Sequence, residues 1–124
     1  MLFYARGSDT DVLLQEDLKK GLFEAYEKLG AKKKVLAIPP DFTRSHSQAG
    51  ILTRLSWDFY RDKLTDVLPA LGTHKPMSDK EIKLMFGNMP RNIFRIHDWR
   101  KDVVTLGDVP AEFISQQSEG KVNY

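Results

Sequence analysis

The chain of 124 residues carries 19 Lys and Arg against 17 Asp and Glu, a formal net charge of +2, with 41% hydrophobic and 29% charged residues. That is enough chain for one domain with a core of its own and too little for two. The small basic excess gives no support for nucleic-acid binding, and the absence of cysteine excludes disulfides, thiolate metal ligands and a cysteine nucleophile within the chain.

No apolar run approaches the roughly 20 residues that a membrane span needs. The start, Met1-Leu2-Phe3-Tyr4-Ala5-Arg6, has no basic region followed by an apolar stretch, so no secretory signal is expected and the expected compartment is the cytoplasm. Leu2 to Ala5 reads as a short edge strand, and Gly7-Ser8-Asp9 as a turn. Leu14, Leu18, Leu22, Tyr26 and Leu29 recur at spacings of three and four with charged residues between them, which predicts an amphipathic helix over 14–29 ended by Gly30. Lys32-Lys33-Lys34 reads as a solvated entry to the strand Val35 to Ile38, which Pro39-Pro40 ends because proline supplies no ladder donor.

Gln48 to about Leu64 reads as a second helix, with Ile51, Leu55, Phe59 and Leu64 as its inner stripe. Asp66 to Leu71 reads as the next strand. Ser78-Asp79-Lys80-Glu81 is a capping box, in which Ser78 and Glu81 satisfy each other's free amides; the helix it opens carries Ile82, Met85 and Phe86 and stops at Gly87. Asn92 to Ile96 and Val103 to Leu106 read as two further short strands, and residues 115–124 are polar and give no clear end to a fold. Trp57, Trp99, Met77, Met85 and Met89 read as packing residues. The alternation of helix and strand predicts an α/β fold over residues 1–124: a mostly parallel sheet flanked by helices, in a Rossmann-like three-layer arrangement.

Two apolar runs end alike. Val35 to Pro40 stops at Asp41-Phe42-Thr43-Arg44-Ser45-His46, and Val67 to Leu71 stops at Gly72-Thr73-His74-Lys75-Pro76. Ligands of parallel sheets bind at the carboxyl ends of the strands, so a carboxylate, a guanidinium and an imidazole are expected to converge there. Arg44 is suited to gripping a phosphate or carboxylate with two parallel bonds, and the alternative for the loop is an Asp41–Arg44 pair with Ser47 as helix cap. Imidazole is suited to taking and returning a proton, so His74 is a candidate acid/base, or it can be a histidine packed in its loop. His97-Asp98 resembles an oriented imidazole–carboxylate pair, although Asp98 could equally cap the turn at Trp99-Arg100. The spacings of His46, His74 and His97 match no local metal motif. There is no G-x-G-x-x-G, no phosphate-loop sequence and no G-x-S-x-G elbow, which disfavours the usual nucleotide sites and serine hydrolysis.

Taken together, Asp41-Phe42-Thr43-Arg44 after an apolar strand, Leu71-Gly72-Thr73-His74-Lys75-Pro76-Met77-Ser78-Asp79-Lys80-Glu81, and His97-Asp98 resemble, over roughly residues 35–110, the N-terminal part of the nickel-pincer lactate racemase (LarA-like) family. The resemblance implies a two-domain α/β enzyme that holds a nickel pincer nucleotide (a pyridinium-3,5-bisthiocarboxylate mononucleotide with nickel) between its domains. It implies racemisation or epimerisation of a 2-hydroxy acid by proton and hydride transfer at the α carbon. It assigns His74 as one of two alternating acid/base groups, Asp41, Phe42, Thr43 and Arg44 as the cofactor-contacting segment, and Arg44 and Lys75 as candidates for the substrate carboxylate; no metal ligand falls in this stretch. Lys75 stands where many members have arginine, and Ser45 and His46 replace a proline often found there. The family's second catalytic histidine, cofactor-bearing lysine, nickel histidine and later substrate-binding residues have no counterpart within 124 residues. The chain is therefore expected to be an N-terminal domain, cut from a longer enzyme or a naturally short relative. By itself it would be inactive and without bound cofactor, its partners being a 2-hydroxy acid and the C-terminal domain, with no nucleic acid or membrane. The alternative is a binding module that holds a phosphorylated or carboxylated small molecule without turning it over.

Overall fold

A computed structural model of the chain describes residues 1–122. Among these described residues, four α-helices and two paired strands occur in the order α1 (Gln15–Leu29), β1 (Val35–Ala37), α2 (Ala49–Tyr60), β2 (Leu64–Val67), α3 (Asp79–Phe86) and α4 (Ala111–Gln117), with short 3-10 turns at Phe42–Ser47, Arg61–Lys63 and Arg91–Ile93. β1 and β2 run parallel, with Leu36 opposite Asp66 and Ala37 opposite Val67. The alignment continues past the strands: Leu68 N–H donates to the Ala37 carbonyl and Ala70 N–H to the Pro39 carbonyl, each at 2.8 Å, and Pro40 bridges Ala70. The fold is thus mixed helix and strand around a small two-stranded parallel sheet.

Several expected elements are corrected. The second helix ends at Tyr60 rather than near Leu64, because Arg61 adopts a left-handed conformation (φ 47°) and its N–H closes on the Trp57 carbonyl. Leu64, expected on the helix stripe, instead opens β2 and is fully buried. β2 accordingly begins and ends earlier than the expected Asp66 to Leu71. Asn92 to Ile96 is a 3-10 turn followed by one parallel bridge from Phe94 to Val67. Leu2 to Ala5 and Val103 to Leu106 form no strand. The helix at Ala111–Gln117 was unforeseen, although Pro110 immediately before it is a usual helix-start signal. Asn123 and Tyr124, the end of the polar stretch, lie outside the described residues.

The core lies between the sheet and α2 and α3. Leu64, Val67 and Phe86 are its fully buried centre, ringed by Leu71, Ile82 and Phe94, with the sulfur-bearing fillers Met77, Met85 and Met89. α1 joins through an aromatic cluster in which Tyr26 lies 4.8 Å from Tyr60 and Phe23 lies 5.0 Å from Phe59. A 2.7 Å bond between the Tyr26 and Ser56 hydroxyls satisfies the polar tip of Tyr26. The opposite face of the sheet is open: Leu36 and Ile38 are 52% and 62% exposed, beside an Asp66–Arg95 ion pair.

α2 and α3 cross closely because residue 50 is glycine. A Cβ there would overlap the Met85 carbonyl and side chain, whereas one at Gly7 would meet nothing. Gly50→Ala is expected to lower stability by about 1–3 kcal/mol through overpacking. Gly7→Ala should stay within about 0.5 kcal/mol of wild type, the pair being compared by urea denaturation.

Candidate functional site

The parallel register sets where the polar clusters emerge. Because Pro40 and Ala70 face each other across the strand ends, the chain leaves β1 at Asp41 and the β2 side at Leu71 to His74 on the same edge. Gly72 turns the second loop with a φ of 55°, and His74 N–H closes it on the Leu71 carbonyl at 2.9 Å. On the first loop Asp41 starts the 3-10 turn, its side chain accepting from Thr43 N–H. Leu71 and Met77, both buried, anchor the two ends of the histidine loop in the core. Behind it the Ser78–Glu81 capping box forms as expected.

The two clusters meet through one contact. Nδ1 of His74 lies 2.6 Å from Oδ2 of Asp41. The other carboxylate oxygen, Oδ1, accepts from the Thr43 backbone N–H at 3.1 Å and from the Thr43 hydroxyl. Asp41 is buried and His74 is exposed. Burial pushes the Asp41 carboxyl up, but the Thr43 hydroxyl, the His74 ring and the Thr43 N–H outweigh it and hold the group below its ordinary value of 3.8. An ionised carboxylate only accepts, so Nδ1 is the donor in this bond.

The cleft around this pair has a volume of about 310 Å³ and is lined by Asp41, Phe42, Thr43, His74, Lys75 and Glu81 among others. Phe42 is half-buried against the core and Thr43 and Lys75 are exposed. Of the residues singled out in the sequence, the structure therefore brings together Asp41, Phe42, Thr43, His74 and Lys75. Arg44 is exposed on the adjoining turn with its side chain unbonded among the described residues, so the alternative Asp41–Arg44 pair does not form. His46 is exposed on the same turn. Ser47 accepts from Ala49 N–H at 3.4 Å. Asp98 does not orient His97; it accepts from Arg100 N–H at 3.1 Å and so caps the turn. Lys32 donates to the Leu29 carbonyl at the end of α1. Among the described residues no group of three His, Asp or Glu side chains could hold a metal ion. The sequence did not foresee that Asp41 would be spent on His74, since 33 residues separate them and no local spacing signals it.

No family model matches the sequence, and no curated protein matches it. Among solved structures, the fold is similar to a crystal structure of a protein from Thermotoga maritima at a TM-score of 0.65 and 29% identity, over 90% of this chain. The chain spans 28% of the length of that protein. No helix of the described residues is long and apolar enough to cross a membrane.

The depressed Asp41 carboxyl makes a stability prediction. A group whose folded value lies below its unfolded value stabilises the fold above the unfolded value and loses that stabilisation as pH falls through the folded one. The difference in unfolding free energy between wild type and Asp41→Asn is expected to be about 1–3 kcal/mol at neutral pH and to shrink as pH is lowered below 3.8. Urea titrations across that window measure it. Asp17, Asp66 and Glu81 are also held low, so the difference between the two proteins, not either curve alone, reports Asp41.

Proposed function

We propose that the chain is the N-terminal part of a nickel-pincer-nucleotide-dependent 2-hydroxy-acid racemase or epimerase, resembling lactate racemase, in which His74 is one of two acid/base groups. The observation that carries the reading is the 2.6 Å contact between the buried Asp41 carboxylate and the exposed His74 ring at adjoining strand ends. It supplies an imidazole oriented by a carboxylate, an arrangement suited to proton transfer. Lys75 sits beside it in the same cleft, and Arg44 stands on the adjoining turn, two cations suited to a substrate carboxylate.

In this reading His74 takes the hydroxyl proton of one enantiomer of the 2-hydroxy acid through Nε2 and donates it when that enantiomer is re-formed, while the second acid/base group serves the opposite enantiomer. Lys75 and Arg44 hold the carboxylate so that the hydroxyl meets the ring. A bound cofactor would supply the hydride-accepting chemistry for the α-hydrogen. Phe42, Thr43 and Arg44 fit a role in holding it, since Phe42 and Thr43 line the cleft and Arg44 is unpaired among the described residues and so open to a phosphate. Asp41 fits that role poorly, because both its oxygens are already occupied within the protein.

The finer architecture belongs to the same proposal. Parallel sheets are covered on both faces, and here Leu36 and Ile38 are bare on one. A second helical layer from the rest of a two-domain chain would complete a Rossmann-like three-layer arrangement, and the Thermotoga protein extends well beyond the matched region. The compartment proposed is the cytoplasm, to which the absence of cysteine is suited.

Three experiments test this. In the complete enzyme supplied with cofactor, His74→Ala is expected to reduce interconversion of D- and L-lactate or a related hydroxy acid by about 10²-fold or more; undiminished turnover would remove His74 from catalysis. Binding of hydroxy acids by calorimetry without any turnover in the complete protein would favour a non-catalytic binding module instead. For the architecture, backbone amides of residues 35–38 are expected to exchange with deuterium more slowly in the two-domain protein than in the 124-residue chain, and equal rates would refute a covering layer there.

A further inference from the structure

His74 has two ring nitrogens, and only one can face a substrate. Nδ1 is committed to Asp41 at 2.6 Å. Nε2 has no hydrogen-bond partner among the described residues, on a side chain that is 56% exposed. The charged groups on the cleft are Asp41 from the end of β1, Lys75 beside the ring and Glu81 from α3. Glu81 is occupied by Ser78, whose N–H and hydroxyl donate to it at 2.7 and 2.8 Å, and Lys75 cannot accept a proton from the ring. Asp41 is thus the group that sets the state of the imidazole.

We infer that Asp41 is a positioning residue, which holds His74 with its proton on Nδ1 and leaves Nε2 as the bare, outward nitrogen that exchanges protons. This role differs from the cofactor contact that the family resemblance implies for Asp41, and as a statement about catalysis it rests on the acid/base role proposed for His74. The tautomer itself rests on geometry alone.

The contacts of Asp41 explain why a carboxylate is required. Oδ1 accepts two donors from Thr43, so its place must be taken by an oxygen. An asparagine at this position keeps its amide oxygen toward Thr43 and turns its NH₂ toward His74. That group can only donate, so the ring would have to accept at Nδ1 and carry its proton on Nε2. The substitution conserves shape and inverts the tautomer, which leaves the outward nitrogen unable to act as a base. Thr43 takes part as the anchor that keeps the carboxylate from rotating.

The test reads the tautomer directly. Long-range proton–nitrogen correlation spectra of the uniformly ¹⁵N-labelled 124-residue chain are recorded in alkaline buffer, where imidazole is neutral, and His74 is assigned by its loss in His74→Gln. Wild type is expected to show the Nδ1–H pattern at His74 and Asp41→Asn the Nε2–H pattern. Thr43→Val, which removes only the hydroxyl donor to Oδ1, is expected to keep Nδ1–H. Should Asp41→Asn fail to fold, the wild-type and Thr43→Val spectra still decide. An Nε2–H pattern in the wild type, or a His74 signal averaged like that of a free histidine, would overturn the inference. In the complete enzyme Asp41→Asn is expected to lower kcat by about 10²-fold or more with little change in KM. The expected tautomers in a protein without racemase activity would refute the proposed function and leave the positioning of His74 intact. Racemase activity with the wrong wild-type tautomer would do the reverse.

Discussion

The parallel pairing of β1 with β2 is the constraint on which the rest of the structure depends. Parallel strands need a crossover, and α2 supplies it. The crossover helix must then pack on the sheet, and it does so by closing against α3 at Gly50, where no side chain intervenes. Because both strands point the same way, both release their polar loops at one edge. An antiparallel pair would have sent Asp41 and His74 to opposite ends of the sheet. The 2.6 Å contact between them is therefore a consequence of topology before it is a feature of either loop.

Within the site, burial divides the labour. Asp41 is sheltered and held ionised by three donors, which makes it a fixed charge rather than a group that titrates near neutral pH. His74 is exposed on the cleft side, where a proton can be exchanged with a bound molecule. The loops are stiffened from behind by Leu71 and Met77 in the core and by the capping box that opens α3. Such support is what keeps a proton-transfer group within hydrogen-bond reach of its partner. Lys75 and Arg44, by contrast, are free of ion pairs among the described residues, the condition expected of cations that await an anion.

The outer surface tells a complementary story. Leu36 and Ile38 lie bare on one face of the sheet, and Val103, Val104, Leu106 and Phe113 are exposed further along. Single exposed apolar side chains are ordinary, whereas an open apolar face on a parallel sheet, as at Leu36 and Ile38, is not. The same polypeptide that would cover this face could bring a second wall to the cleft. In the proposed racemase reading, one covering layer would account for the open sheet face and supply the second wall of the cleft.

The amphipathic period of residues 14–29, the capping box at Ser78 and the stop at Gly87 were legible locally, because each is a pattern of hydrogen bonding or burial within a few residues. The apolar runs ending at Asp41 and at His74 were legible for the same reason. The limits of α2 and β2 were not: Leu64 suits a helix stripe or a strand equally, and the left-handed turn at Arg61, a residue with no intrinsic preference for it, decides between them. Val103 to Leu106 has strand-forming residues but no partner to pair with in the described chain, and pairing is what makes a strand. Which residues could carry chemistry was readable locally, since that depends on side-chain type at the end of an apolar run. How they are used follows from the fold, which turns Asp41 from Arg44 toward His74, because the contact joins loops 33 residues apart that the parallel register alone brings together.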